Sequence, residues 1–262
     1  MTTILAFIFF VLGLVIGSFL NVVIFRLNTQ KTFGGRSQCL ACQKQLSWYE
    51  LFPLFSFLFL KGRCKGCKTK ISWQYPLVEL VTGIIFACLF LKFQDIFYSS
   101  TFSFAFTMAY YAGMFSLLIV IAVYDLRHKI IPDILALIFG VLAFLGLFLF
   151  SAFGFNPHLP SIWELSSGII LALPFALLWL VSKGTWMGLG DAKLALGLGW
   201  LLGLSRALSG IVLAFWSGAI IGLILLAFSR KHSMRSEIPF APFLVLGAIL
   251  AFLFELHLFP IS

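Results

Sequence analysis

The sequence predicts an all-α, polytopic integral membrane protein with about eight transmembrane helices and a cytoplasmic zinc-ribbon-like loop. Of its 262 residues, 61% are hydrophobic and only 10% are charged, whereas soluble proteins carry about 25% charged residues. Its apolar runs, such as residues 134–153, are continuous and do not alternate with polar residues as barrel strands do. One long polar stretch, residues 26–74, contains half of the basic residues and four of the five cysteines.

Eight apolar segments are candidate spans, because each approaches the length of about 20 residues that crosses a bilayer. Their approximate bounds are 4–25, 76–91, 102–124, 133–153, 162–181, 192–204, 208–228 and 240–258. The first lacks the basic n-region and the A-x-A cleavage site of a signal peptide. We therefore predict a first transmembrane helix (1–25), a four-cysteine loop (26–75) and a seven-helix membrane core (76–262).

The basic residues predict the orientation of these spans. If the 26–74 stretch is cytoplasmic, alternation of the spans places 16 of the 18 Lys and Arg residues on that side and leaves only Lys92 and Arg206 opposite. Orientation alone produces such a bias, so the net charge of +9 does not indicate a nucleic-acid partner. We expect a lipid bilayer as a partner and no nucleic acid; the oligomeric state does not follow from the sequence.

Within the loop, the apolar run LFPLFSFLFL covers residues 51–60. Ten residues that include a proline are too few to cross a bilayer. We expect this segment to lie in the membrane interface.

Two C-x-x-C pairs in the loop predict a metal site. Cys39, Cys42, Cys64 and Cys67 have the spacing of two knuckles that complete a tetrahedral four-thiolate zinc site. Two disulfides are the alternative, but they require an oxidising compartment and the loop is predicted to be cytoplasmic. Such a site has no open coordination position, so we expect the zinc to fold the loop without doing chemistry.

Two aspartates lie at the cytoplasmic ends of predicted spans. Asp125 ends the third span in VYDLRHKIIPD, and Asp191 follows GLG at the start of the sixth. Carboxylates at the edge of hydrocarbon are costly unless they are paired, protonated or hydrated. Two of them at one depth can share a proton, activate a water and polarise a peptide carbonyl, which is aspartyl-protease chemistry.

Other roles for these carboxylates stay open at this point. Asp133 has the position of an N-cap, Asp191 could also be a cap, and Asp125 could pair with Arg127, His128 or Lys129. A transporter or a proton relay also uses aspartates in this way. Glu79 in the second span and Glu50 in the loop could each bind a cationic ligand or pair with neighbouring Lys and Arg side chains. Gly17, Ser18 and Asn21 suit helix packing.

Four segments together resemble the bacterial prepilin peptidases, or type 4 prepilin leader peptidase/N-methyltransferases. They are GSFLNVVIFRL (17–27), the cysteine-containing stretch 36–83, DLRHKIIPD (125–133) and GLGDAKL (188–194). The resemblance covers nearly the whole chain, with Asn28 departing from the usual proline. It implies an inner-membrane aspartic endopeptidase that removes the basic leader of type IV prepilins or type II secretion pseudopilins at the cytoplasmic face, with Asp125 and Asp191 as the catalytic aspartates.

The same resemblance implies N-methylation of the new N-terminus with S-adenosylmethionine, since family members with the four cysteines usually carry that activity. The cofactor-binding residues are not identified by any motif. Two alternatives from other classes remain: another GxGD intramembrane aspartyl protease, and a non-enzymatic ion-coupled transporter or scaffold with a zinc loop. The cysteine loop and DLRHKIIPD argue against the first, and the lack of repeated halves argues against the transporter.

Overall fold

The computed structural model describes residues 2–29, 34–39, 41–151, 154–228 and 238–258. Within these ranges the chain forms eight helices of 13 or more residues. They are α1 (Thr2–Arg26), α3 (Gln74–Ser99), α4 (Thr101–His128), α5 (Asp133–Leu149), α6 (Ile162–Ser182), α7 (Leu189–Leu202), α8 (Leu204–Phe228) and α9 (Ala241–Leu253). A 3₁₀ turn (Trp48–Leu51) and the short helix α2 (Phe55–Phe59) lie between α1 and α3, and the strands β1 (Phe150–Ser151) and β2 (Gly154–Phe155) pair antiparallel after α5.

The predicted fold class, a helical membrane protein, is confirmed. Five helices, α1, α3, α4, α6 and α8, are long and apolar enough to cross a membrane, while α5 and α9 are shorter apolar helices. Some predicted bounds are wrong. α3 extends to Ser99 rather than to residue 91, and α5 stops at Leu149 because the β1–β2 hairpin follows. α7 begins at Leu189, so Asp191 lies inside the helix and not before it.

The chain divides into two compact units, one up to Tyr98 and the other from Ser99 onward. The first unit holds α1, the cysteine loop and α3, and the second holds α4 to α9. The functional division at residues 25 and 75 stays a prediction.

In the first unit, α1 and α3 pack closely along a glycine-lined contact. A Cβ at Gly13 would lie 2.7 Å from the Thr82 carbonyl oxygen, and one at Gly17 would lie 2.7 Å from the Glu79 Cα. Such close approach of two helices needs small residues at the contact. The glycines therefore bring the polar side chains of α3 directly against α1.

In the second unit, glycines again determine how near the helices lie. A Cβ on Gly199 of α7 would be 2.6 Å from the Gly168 Cα of α6, and one on Gly197 would be 2.5 Å from the Phe139 ring of α5. The Ser167 hydroxyl donates a hydrogen bond to the Gly199 carbonyl at 2.9 Å. α7 is thus held between α5 and α6, which determines where its first turn, with Asp191, is presented.

Candidate aspartate site and metal centre

Asp125 lies in the last turn of α4 and is 5% exposed. α4 ends because Lys129 adopts a left-handed conformation with φ of 55°, and its N–H donates to the Asp125 carbonyl oxygen at 2.7 Å. The Asp125 Oδ2 accepts a hydrogen bond of 3.3 Å from the backbone N–H of Ala241, the first residue of α9. The carboxylate therefore faces the positive end of the α9 dipole, which stabilises negative charge.

Asp191 occupies the first turn of α7, three residues after the N-cap Gly188. Its N–H donates to the Gly188 carbonyl at 3.3 Å, and the residue is 8% exposed. Gly190 lies against Ile131, which precedes α5: a Cβ at Gly190 would be 2.9 Å from the Ile131 Cβ. Only a glycine lets the first turn of α7 approach the α4–α5 connection this closely.

The structure brings the two aspartates near enough to interact electrostatically. Each carboxylate lies at a helix N-terminus, Asp125 at that of α9 and Asp191 at that of α7. Among the described residues, no Lys or Arg side chain forms an ion pair with either of them. Two buried carboxylates that influence one another electrostatically and form no described ion pair have the composition of an aspartate dyad. Their assignment as catalytic residues stays a prediction.

Asp133 and Lys193 form an ion pair that the sequence reading missed. Asp133 is the first residue of α5, so it is not the N-cap; that position belongs to Pro132. Its Oδ1 accepts a hydrogen bond of 2.6 Å from the Lys193 Nζ of α7. Asp133 lies in the motif DLRHKIIPD, eight residues after Asp125, and Lys193 lies in GLGDAKL, two residues after Asp191. Their place in these two motifs was the sequence signal for the ion pair.

The four cysteines of the loop form a compact thiol cluster in the first unit. The sulfurs of Cys39, Cys42, Cys64 and Cys67 all lie within 4.8 Å of one another, and all four are free thiols. The Cys39 and Cys67 sulfurs are 3.7 Å apart. Tetrahedral zinc with Zn–S bonds of about 2.3 Å requires sulfurs about 3.8 Å apart. This group could therefore hold a metal ion, and the predicted ligand set is spatially consistent with one.

Each cysteine pair is built by the same backbone turn. The Cys39 N–H donates to the Lys44 carbonyl at 3.0 Å, and the Cys64 N–H donates to the Thr69 carbonyl at 2.9 Å. The residue after the second cysteine of each pair is left-handed in both turns: Gln43 has φ of 56° and Lys68 has φ of 59°. Two equivalent knuckles facing one another are the arrangement of a zinc ribbon.

The backbone around the cysteines favours thiolates. Hydrogen bonds from the hydroxyl and the backbone of Thr69 lower the pKa of Cys67 to about 6. Hydrogen bonds from the backbone of Cys42 and Ala41 lower the pKa of Cys39. The thiolate is the form that binds metal, so these contacts favour the binding form of Cys39 and Cys67. The neighbouring Cys67, Cys39 and Cys64 side chains instead raise the pKa of Cys42 to about 11.

The two loop-facing glutamates differ in their partners. Glu50 is 7% exposed, caps the 3₁₀ turn by accepting the Ser47 N–H at 2.8 Å, and lies 3.8 Å from the Lys44 ammonium. Glu79 is also 7% exposed, but it accepts the Leu54 N–H at 2.9 Å and has no cationic partner among the described residues. Of the two roles considered for these carboxylates, ion pairing applies to Glu50 only.

Sequence reasoning missed the Ala241 N–H as the partner of Asp125. Pro242 was the sequence feature that could have indicated this contact, because proline near the start of a helix marks the first turn, whose backbone N–H groups have no partner within the helix.

These features define a polytopic helical membrane protein with a four-thiol cluster in one unit and a buried aspartate pair in the other. Comparison with known families agrees. The bacterial peptidase A24 N-terminal domain matches residues 11–93, and the type IV leader peptidase family matches residues 112–227. The first match contains the four cysteines and the second contains both aspartates.

Curated relatives named prepilin leader peptidase/N-methyltransferase are similar over most of the chain. The one from Bacillus subtilis is 32% identical over 94% of this chain and 93% of its own length. The one from Stutzerimonas stutzeri is 32% identical over 93% and 88%. The one from Myxococcus xanthus is 37% identical over 87% of this chain, and the match spans 65% of that longer protein. No solved structure matches. The chain belongs to the type IV leader peptidase family.

Proposed function

We propose that the protein is an aspartic endopeptidase of the bacterial inner membrane that cleaves the basic leader from prepilins or pseudopilins at the cytoplasmic face. The observation that carries this proposal is the pair of buried carboxylates, Asp125 and Asp191, which interact in the absence of a described basic partner. The names of the relatives support the substrate class.

The proposed chemistry needs one proton shared between the two carboxylates. The ionised aspartate removes a proton from a water molecule, whose oxygen attacks the carbonyl carbon of the scissile peptide. The protonated aspartate donates its proton to the carbonyl oxygen as the tetrahedral intermediate forms. Collapse of that intermediate breaks the C–N bond, and the proton taken from water passes to the leaving amine. An aspartate pair that shares one proton can perform both roles at once.

The geometry suits a substrate that is half in the membrane. Asp125 closes a helix long enough to cross the bilayer, and Lys129 and Arg127 follow it at the end predicted to be cytoplasmic. A substrate helix in the bilayer with a basic leader outside would present its scissile bond at that depth. The carboxylates would then act at the membrane surface, where water is available.

We further propose that the protein N-methylates the new N-terminus with S-adenosylmethionine, and that Cys39, Cys42, Cys64 and Cys67 hold one structural zinc ion. The relatives' names support the methyltransferase activity. Four thiolates around zinc would carry a net charge of about −2, which the surrounding loop cations offset; these include Lys44, Lys61, Arg63, Lys65 and Lys68. A zinc ion held by these four thiolates would supply folding energy and would leave no open coordination position.

The test of the peptidase is the pair of single variants Asp125→Asn and Asp191→Asn. Each keeps the shape of the side chain and removes the titrating group, so each should abolish leader cleavage of a purified prepilin. Asp133→Asn is the matched control, because the Asp133 side chain is 79% exposed and its ion pair with Lys193 is worth at most about 1 kcal/mol. Near-normal turnover by either dyad variant would remove the dyad from the mechanism.

The test of the metal site is elemental analysis of protein never exposed to chelator. About one zinc per chain is expected, because the four sulfurs accommodate a single tetrahedral ion. Less than about half an equivalent, or two disulfides found by mass, would contradict the proposal.

A further inference from the structure

The contact between α1 and α3 holds a buried carboxylate that the proposed peptidase chemistry does not use. Glu79 is 7% exposed and lies in the first unit, on a helix long enough to cross a membrane. A charged group at that depth is costly unless something compensates for it. The described residues supply hydrogen bonds from the Leu54 N–H and from Ser18, and no cation.

A buried polar group without a described partner lies one helical turn away along α1. Asn21 of α1 is 1% exposed, and its Nδ2 donates to the carbonyls of Gly17 at 3.3 Å and Tyr75 at 3.2 Å. These two acceptors determine the orientation of the amide, because only the nitrogen can donate to them. The Asn21 Oδ1 is therefore a buried acceptor, and no hydrogen-bond donor among the described residues reaches it. Buried acceptors without a hydrogen bond are rare in native proteins, so this oxygen is a candidate for binding a ligand.

The contacts place these two groups in adjacent layers of one interface. Gly17 of α1 lies against the Glu79 Cα, and Asn21 is one turn further along α1. Tyr75, which Asn21 contacts, is one turn before Glu79 on α3. A negative carboxylate and an uncharged acceptor on neighbouring turns match a cation that donates several hydrogen bonds. A primary ammonium has that chemistry; a sulfonium carries charge but has no N–H to donate.

The element that covers Glu79 is strained. Leu54, whose N–H binds the carboxylate, has φ of 57°, a conformation that is unfavourable for a side chain with a Cβ. Phe52 and Phe55, on either side of it, are each 54% exposed and line an open apolar cavity of about 450 Å³. This turn has little burial to hold it in place, so it is the element that can move aside and admit a ligand.

We propose that Glu79 and the Asn21 Oδ1 bind the terminal ammonium of the mature pilin during its N-methylation. The inference rests on the N-methyltransferase activity proposed above and gives that activity its amine site. Glu79 takes one proton from the ammonium, and the freed lone pair forms a bond to the methyl carbon of the sulfonium donor. The C–S bond breaks with its electron pair going to sulfur, and the secondary ammonium product keeps its charge while Glu79 releases its proton to water.

Glu79→Gln is the decisive variant. Glutamine keeps the side-chain length and can still accept the Leu54 N–H, so it removes the charge and leaves the turn in place. We expect methylation to fall by about 100-fold, which is the loss of an ion-paired hydrogen bond of about 3 kcal/mol. Leader cleavage should stay within two-fold of wild type. Thr82→Val is the matched control, because Thr82 is fully buried on the same face of α3 and, within the described part of the chain, its hydroxyl bonds only to the Val78 carbonyl.

A binding measurement separates an amine site from a structural role. Without methyl donor, wild-type protein should bind mature pilin with a free N-terminus at least ten-fold more tightly than N-acetylated pilin, and Glu79→Gln should not distinguish the two. The KM for S-adenosylmethionine should be the same in Glu79→Gln as in wild type. If Glu79 instead bound the sulfonium of the methyl donor, the substitution would raise that KM. Glu79→Asp, which restores the charge, should recover part of the methylation.

The outcomes are distinct. If wild-type protein cleaves but never methylates, the proposed methyltransferase activity fails and the amine site fails with it. If wild type methylates and Glu79→Gln does so equally well, or if Thr82→Val loses as much as Glu79→Gln, the amine site alone is wrong.

Discussion

Replacement of Gly190 by alanine tests whether the close approach of α7 to the α4–α5 connection places Asp191. The new Cβ would lie 2.9 Å from the Ile131 Cβ, and 3.3 Å and 3.4 Å from two further atoms of that side chain. Ordinary carbon contacts are about 3.5 to 4.0 Å, so either Ile131 or the first turn of α7 must move by roughly 0.5 to 1 Å.

The energetic effect is small and the catalytic effect large. Overpacking costs about 1 to 3 kcal/mol, and the better helix propensity of alanine returns about 1 kcal/mol. The net destabilisation is therefore about 0 to 2 kcal/mol, which leaves the protein folded. A displacement of about 1 Å of a catalytic group costs on the order of 100-fold in rate, so cleavage should fall by roughly 10- to 100-fold.

The control is Gly113→Ala on α4, the helix that carries Asp125. A Cβ at Gly113 meets nothing within 4 Å, so the variant gains helix propensity without a clash. Both proteins would be compared in detergent for leader cleavage and for thermal unfolding followed by circular dichroism. If Gly190→Ala cleaves as fast as Gly113→Ala, the contact with Ile131 does not position Asp191 and the reasoning is refuted.

Two further predictions concern the loop. Cys39→Ser with Cys42→Ser should release the metal and reduce methylation more than cleavage, because the cysteines and the aspartates belong to different compact units; equal loss of both activities, with the helices intact by circular dichroism, would contradict this. The Ser47 N–H and the Lys44 ammonium lower the pKa of Glu50. Its contribution to loop stability is therefore complete above the ordinary glutamate pKa of about 4.3, and it is lost as the pH falls through the lowered pKa. Hydrogen exchange of residues 41–50 should show this acid-induced loosening in the wild type and a smaller pH dependence in Glu50→Gln; identical profiles would exclude it.

The sequence by itself determined the membrane class, the thiol cluster and the candidate aspartates. Composition and the length of apolar runs are sufficient for the first, because the bilayer requires each crossing helix to be long and apolar. Cysteine spacing predicts the two turns of the thiol cluster, because a C-x-x-C knuckle is a local turn whose geometry depends on neighbouring residues only, as the matching bonds at Cys39 and Cys64 show. That the two turns meet around one site depends on the tertiary structure.

The tertiary structure decided which polar groups meet. Asp125 and Asp191 are 66 positions apart in the sequence, and their proximity depends on close helix contacts such as Gly190 against Ile131. The Ala241 N–H donates to Asp125, which is 116 residues away in the sequence. Asp133 does not cap α5 and instead accepts a hydrogen bond from Lys193 of α7. The same holds for Glu79 and the Asn21 Oδ1, which the packing of α1 on α3 places in adjacent layers of one interface. Hydropathy shows that a helix is buried in a membrane, but which of its faces contacts which neighbour depends on side-chain packing over long separations.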